Sequence, residues 1–180
     1  MIEIVSALRE LSYTRFTMTP RRWVLAIALL AAVAAFWTWN GSDRRQIGRQ
    51  LERLQDLVSK SGAESSIVGL NRVRQITELF ATPFEVRAEQ LRFSTRDRQQ
   101  LAGFIYGYRR GSERIAMRVS DTSLSIVPEL GRATQHASFR FTGSGPLGAP
   151  SESYRLQINW LKEEAGWRID YIDLLEIGGQ

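Results

Sequence analysis

The longest uninterrupted apolar run lies near the start of the chain, from Trp23 to Trp39, and contains no charged side chain. At about 1.5 Å per helical residue it reaches about 25 Å, the short end of what crosses a bilayer. Trp23 stands at one end and Trp37 and Trp39 at the other, where indole rings favour the headgroup boundary. Ahead of it, Ile4, Val5, Leu8, Leu11 and Phe16 recur near helical spacing, and Pro20 separates them from the run. The pattern predicts an amphipathic cytoplasmic tail over 1–20, a transmembrane helix over 21–39 and a folded domain over 40–180. Ala32-Val33-Ala34 also has the small-x-small form of a signal cleavage site. The long leader favours an uncleaved anchor.

Within 40–180 the first half has helical period. Ser42 and Asp43 can cap a helix whose stripe is Ile47, Leu51, Leu54 and Val58, running to about Lys60 and stopping before Gly62. That stripe suits packing on its own domain or a dimer seam. A second helix starts near Ser65, with Ile67, Leu70, Val73, Ile76, Leu79 and Phe80 on its apolar face, and Pro83 ends it. Phe84–Arg87 is a short strand. Ser94-Thr95-Arg96-Asp97 fits a capping box for a third helix with Leu101, Phe104, Ile105 and Tyr108 on one face and Gly111 as its C-cap.

Beyond Gly111 the period changes to two. Ile115, Met117 and Val119 alternate with polar neighbours, as do Leu124 and Ile126. Ala133, Ala137, Phe139 and Phe141 alternate with Thr134, His136, Ser138 and Arg140. Tyr154, Leu156, Ile158 and Trp160 follow the same rule, and Glu164-Ala165-Gly166 is a tight turn into Trp167, Ile169 and Tyr171. Residues 143–150 read as a loop rich in Gly, Pro and Ser. The expected fold class is therefore α+β: three helices packed on a curved antiparallel sheet, preceded by one transmembrane helix.

The element order, and an ending that runs from Tyr154-x-Leu156-x-Ile158-x-Trp160 through the turn to Trp167-x-Ile169, resemble the nuclear transport factor 2-like superfamily, SnoaL-like proteins included. The resemblance covers about residues 43–177. It implies a curved sheet wrapped by helices into a cone, a fold that hosts enzymes, binding modules and assembly proteins alike. The layout of short tail, single span and domain of this superfamily is similar to the inner-membrane assembly component of type IV secretion systems.

Composition narrows the chemistry. The chain has 180 residues, no cysteine and one histidine, which excludes thiolate sites, iron–sulfur clusters and a multi-histidine metal centre within one chain. No P-loop, dinucleotide fingerprint, HExxH or G-x-S-x-G motif is present, so neither cofactor nor metal is expected. The net charge is +5. It divides as +2 over 1–39, +5 over 40–110 and −2 over 111–180. Nearly all the basic residues are Arg. The sheet half carries no basic stripe with interleaved aromatics, which argues against nucleic-acid binding. Arg21 and Arg22 abut the apolar run, whereas Arg44, Arg45, Arg49 and Arg53 begin beyond it, interleaved with acids. This favours a bacterial inner-membrane protein, single-pass, with its N-terminus in the cytoplasm and its domain in the periplasm.

Two function classes follow. The first is a non-enzymatic, membrane-anchored interaction or assembly module of the cell envelope, with a protein partner or a second copy of itself. The second is a small-molecule binder or hydrolase- or isomerase-like enzyme using the cone. Its pocket candidates are Phe104, Tyr108, Trp160 and Trp167. His136, the only imidazole, could serve as a base near Asp121 or Asp170 if the sheet turned that face inward. It could equally face solvent.

Overall fold

The computed structural model describes residues 42–142 and 151–178. The tail, the apolar span with Arg21, Arg22, Trp23, Trp37 and Trp39, and the 143–150 loop lie outside the described residues. No helix among the described residues is long and apolar enough to cross a membrane.

The elements are α1 (42–58), α2 (Ser66–Thr77), β1 (Phe80–Ala88), β2 (Phe93–Thr95), α3 (Arg98–Gly111), β3 (Ala116–Val127), β4 (Arg132–Thr142), β5 (Ser151–Glu163) and β6 (Gly166–Gly178). Single 3-10 turns fill Glu89–Leu91 and Pro128–Leu130. The six strands form one sheet in the order β2-β1-β6-β5-β4-β3. The expected all-antiparallel sheet is instead mixed, because β1 runs parallel to β6. A chain returning through one helix and four strands can lay its last strand beside its first in either direction, and strand period carries no information on that choice.

The helices cover one sheet face, and the core lies between. Ile47, Leu51 and Leu54 of α1 are buried as their spacing requires, with Leu57 completing the stripe while Val58 is half-buried. Helix α2 stops at Thr77 rather than at Pro83. Leu79 sits in the turn, and Phe80 opens a strand that carries Pro83 within it. Arg98 makes this abrupt change workable. Its guanidinium donates to the carbonyls of Thr77, Phe80 and Ala81, groups that neither helix nor ladder satisfies.

The cap of α3 is Asp97, not a box begun at Ser94. Its Oδ1 accepts from the amides of Gln99 and Gln100 at 2.6 and 2.8 Å, while Ser94 and Thr95 pair with β1. Gly111 is the last helical residue and Ser112 the C-cap. Gly166 opens β6 at φ 111°, backbone that side chains with a Cβ rarely adopt, and so makes the β5–β6 turn tight. Bulges between Arg155 and Leu156 and between Asn159 and Trp160 bend the sheet around the helices.

Candidate functional site

Strand alternation aims Phe141 of β4, Tyr154 and Leu156 of β5, and Ile172 and Leu174 of β6 at the helices. Leu54 and Val58 of α1 and Leu101, Phe104 and Ile105 of α3 meet them. The bend keeps the two layers from closing completely. A cavity of about 210 Å³ remains, walled also by Ile76, Phe80, Val86, Ala88, Leu91 and Phe93. At its mouth Phe93 stacks on Phe104, ring centroids 4.2 Å apart, and Phe104 keeps 41% of its surface exposed. Arg87 also borders the cavity. Its guanidinium pairs with Glu85 and lies 5.8 Å from the Tyr171 ring centre, so its charge is held by partners beyond the cone wall.

Behind the apolar lining, the ring of Tyr154 carries its hydroxyl away to a buried carboxylate. Tyr154 Oη donates to the Glu152 carboxylate, and both residues are only 4% exposed. Phe141 packs edge-on between Tyr154 and Tyr108, at 5.6 and 6.5 Å. Burial, reinforced by the Glu152 charge, pushes the Tyr108 phenol up to about 12. Glu152 has no place among the residues singled out by sequence. Its signal was there in parity: it shares a face with Tyr154 across the regular start of β5, so a carboxylate stands at an inward position.

The sequence candidates scatter. Phe104 lines the cone; Tyr108 packs behind Phe141 without lining it. Trp160 and Trp167 are each 1% exposed and fill the core rather than the cavity. Trp160 Nε1 donates to Gln135 Oε1 at 3.1 Å, and Trp167 Nε1 to Asp43 Oδ1 at 3.1 Å. Asp43 is thus no solvent-facing cap. It is 1% exposed and also receives Lys162 Nζ at 2.9 and 3.1 Å.

The three acid–base candidates lie on the other side of the sheet. His136 is exposed on β4, opposite Ser123 and Gln157. Asp121 is exposed at φ 49° in the β3 bulge and accepts from Ser120 Oγ at 3.3 Å. Asp170 pairs with Arg132 at 3.2 Å, its other oxygen buried without a hydrogen bond. The register does not bring His136 and Asp170 together: His136 faces Gln157, whose β6 partner is Asp173. Among the described residues, no three His, Asp or Glu side chains converge as a metal site.

No protein-family model matches the chain, and no curated protein matches it at a significant level. Solved structures do. A nuclear transport factor 2-like protein with a cystatin-like fold from Novosphingobium aromaticivorans superposes with a TM-score of 0.61 at 16% identity, covering 82% of this chain and 90% of that one. A candidate scytalone dehydratase from the same organism gives 0.59 at 15% identity, covering 78% and 89%. A protein of unknown function with a cystatin-like fold from Nostoc punctiforme gives 0.58 at 12%, covering 77% and 92%. At such identities the likeness is one of fold: the described residues have a nuclear transport factor 2-like, cystatin-like α+β architecture.

Proposed function

We propose that the chain is a membrane-tethered, non-enzymatic binding module of the bacterial envelope whose cone seats an apolar group of a protein partner. The observation that carries this reading is the cavity itself. It holds about 210 Å³ and its lining includes no carboxylate and no imidazole. A dry cavity of about 150 Å³ accepts a benzene ring, whereas sites for drug-sized ligands start at about 300 Å³. The cone therefore suits one large side chain. Burial there contributes about 25 cal/mol per Å² of apolar surface, without offering an acid or a base.

The uncharged run from Trp23 to Trp39, with Arg21 and Arg22 on its near side, supports an inner-membrane tether and a periplasmic domain. Confinement to a plane raises the effective concentration of a membrane-bound partner, so a single-anchor contact suffices. A photo-crosslinking residue at Phe104 of the full chain in native membranes should yield one discrete heavier adduct, lost when Leu156→Trp fills the cone. Recovery of monomer alone would refute the reading. A reporter active only in the periplasm, fused after Gln180, tests the orientation.

A second reading rests on the Tyr154–Glu152 pair. The Tyr154 ring lines the cone, and its buried phenol, held by Glu152 behind the lining, would serve a small-molecule substrate of an enzyme if that hydroxyl turned inward. The candidate scytalone dehydratase and a candidate aromatic ring hydroxylase of the same fold lend it support. Tyr154→Phe would then abolish turnover while leaving the crosslink at Phe104 intact.

A further inference from the structure

Turn residues are ordinarily polar, because a turn is where the chain meets water. The β3–β4 turn departs from that rule. It reads Val127-Pro128-Glu129-Leu130-Gly131, with Leu130 67% and Val127 42% exposed. Neither side chain belongs to the hydrophobic core. The backbone beneath them is firmly held. Pro128 opens the 3-10 turn, Gly131 closes it at φ 58°, and the Gly131 N–H donates to the Pro128 carbonyl at 3.1 Å. The turn therefore presents its two aliphatic side chains outward.

Contacts fix where this turn lies. The Lys162 backbone N–H donates to the Gly131 carbonyl at 2.8 Å, and Lys162 Nζ pairs with Asp43, in the first turn of α1, at 2.9 Å. Arg44 Nη2 donates to the carbonyl of Leu124 on the same hairpin at 3.2 Å. Val127 and Leu130 thus stand at the end of the domain where α1 begins. Only residues 40 and 41 separate Ser42 from Trp39, the last residue of the apolar run. A linker of two residues reaches about 7 Å at full extension. Charge at this end is mixed: Glu129, Glu163 and Glu164 are exposed, as are Arg44 and Arg132. What distinguishes it is the apolar tip.

We propose that Val127 and Leu130 dip into the glycerol and acyl boundary of a bilayer, so that the β3–β4 turn seats the domain on lipid. The inference rests on the membrane tether proposed above. Tethering keeps this end within a short linker's reach of the bilayer, so the contact needs little affinity of its own. Two aliphatic side chains leave water for hydrocarbon, which is how apolar surface segments bind an interface. The tip is too small to be the seat of a second copy, because a stable protein interface buries about 800 Å² on each partner.

The chain contains no cysteine, so Leu130→Cys creates a single attachment point for a polarity-sensitive nitrobenzoxadiazole label. The labelled full chain is reconstituted in phosphatidylcholine vesicles and recovered by flotation. The label at 130 should emit to the blue of the same label at Ile67→Cys, a position 81% exposed on α2. It should also be quenched several times more strongly by a lipid carrying a nitroxide near its glycerol. Val127→Cys should follow position 130. Equal emission and quenching at 130 and 67 would overturn the contact. A blue shift at 130 without quenching would overturn it too, since protein and not lipid would then cover the turn. Phosphatidylglycerol in place of phosphatidylcholine should leave quenching at 130 unchanged; contact in the anionic vesicles alone would overturn the apolar basis. A chain that does not float with the vesicles overturns tether and contact together, whereas one that floats with a wet label at 130 overturns the contact alone.

Discussion

The same strands present two unlike faces. Along β4, Ala133, Gln135, Ala137 and Phe139 are all under 5% exposed, while the intervening His136 and Arg140 stand in solvent. The inner face is closed by α1, α2 and α3 and holds the apolar cone. The outer face is open and holds nearly every charged side chain of the sheet. The buried charges among the described residues have partners: Glu152 under Tyr154 Oη, Asp43 of α1 between Lys162 and Trp167, and Arg109 of α3 against Glu64. Abundance of ionisable groups on a strand therefore marks its solvent side. The rare polar residue at an inward position is the one with chemical leverage, because the low dielectric there strengthens each contact it makes.

The contrast breaks most visibly at Trp160. Trp160→Ala removes a fully buried indole and strips Gln135 of the donor it accepts from. A loss of about 3–5 kcal/mol is expected from cavity formation, with the orphaned amide adding to it. Denaturant unfolding of the full chain measures it. A loss below about 1 kcal/mol would mean that the inner face is not packed as described.

Asp43 probes charge on the inner side. Asp43→Ala leaves the Trp167 indole N–H and the Lys162 ammonium without the carboxylate that both address. Lys162 is about a third exposed and recovers water, so the expected cost is about 2 kcal/mol, set mainly by the stranded indole. Asp43→Asn, which keeps an acceptor, should recover part of it. The same change in unfolding midpoint for both variants would show that the contact to Trp167 contributes nothing.

Much of this architecture was legible in the chain. Periods of 3.6 and 2 located three helices and the four long strands of the sheet half, and parity placed Phe139, Ile158 and Ile169 in the core. Three features resisted. Strand β2 is only Phe93–Thr95 and has no period to detect. The parallel pairing of β1 with β6 depends on where the chain returns, not on composition. The site candidates were chosen by residue type, and type selects for the solvent face: His136 and Asp121 were conspicuous because they are polar, and they are polar because they face water. The cone was half legible, through Phe104, whereas Glu152 was masked by its serine neighbours. Helix α2 marks another limit. Its stripe reads as one face, yet Val73 and Ile76 are buried while Ile67 and Leu70 remain exposed, because α2 meets the core only with its C-terminal half.

Titration of Tyr108 tests burial behind the cone, where its ring packs on Phe141. Its folded-state phenol sits near 12, against an ordinary value of 10.0. Below pH 10 folded and unfolded chains both keep the proton, so the stabilisation is fully present. Between 10 and 12 the unfolded chain releases its proton first, and stability falls as pH rises. Tyr108→Phe should show a shallower fall of the unfolding midpoint over that window and no change in slope below it. Identical slopes would mean that the phenol is wetter than its place behind Phe141 implies.

The smallest effects belong to the open surfaces. His136→Ala removes an imidazole whose neighbours across the ladder are Ser123 and Gln157, and Ile67→Ser removes a side chain already 81% exposed. Neither leaves a cavity or an orphaned buried group, so each should shift stability by less than about 0.5 kcal/mol. The pair also separates two explanations for an exposed residue. If the apolar start of α2 is covered by a second copy in the membrane, Ile67→Ser will lower stability in native membranes but not in dilute detergent, where association is lost by mass action. His136→Ala, on the open sheet face, should be silent in both. A destabilisation by His136→Ala that matched the inner-face variants would remove the distinction between the faces, since it would require the imidazole to be packed where the register leaves it in water.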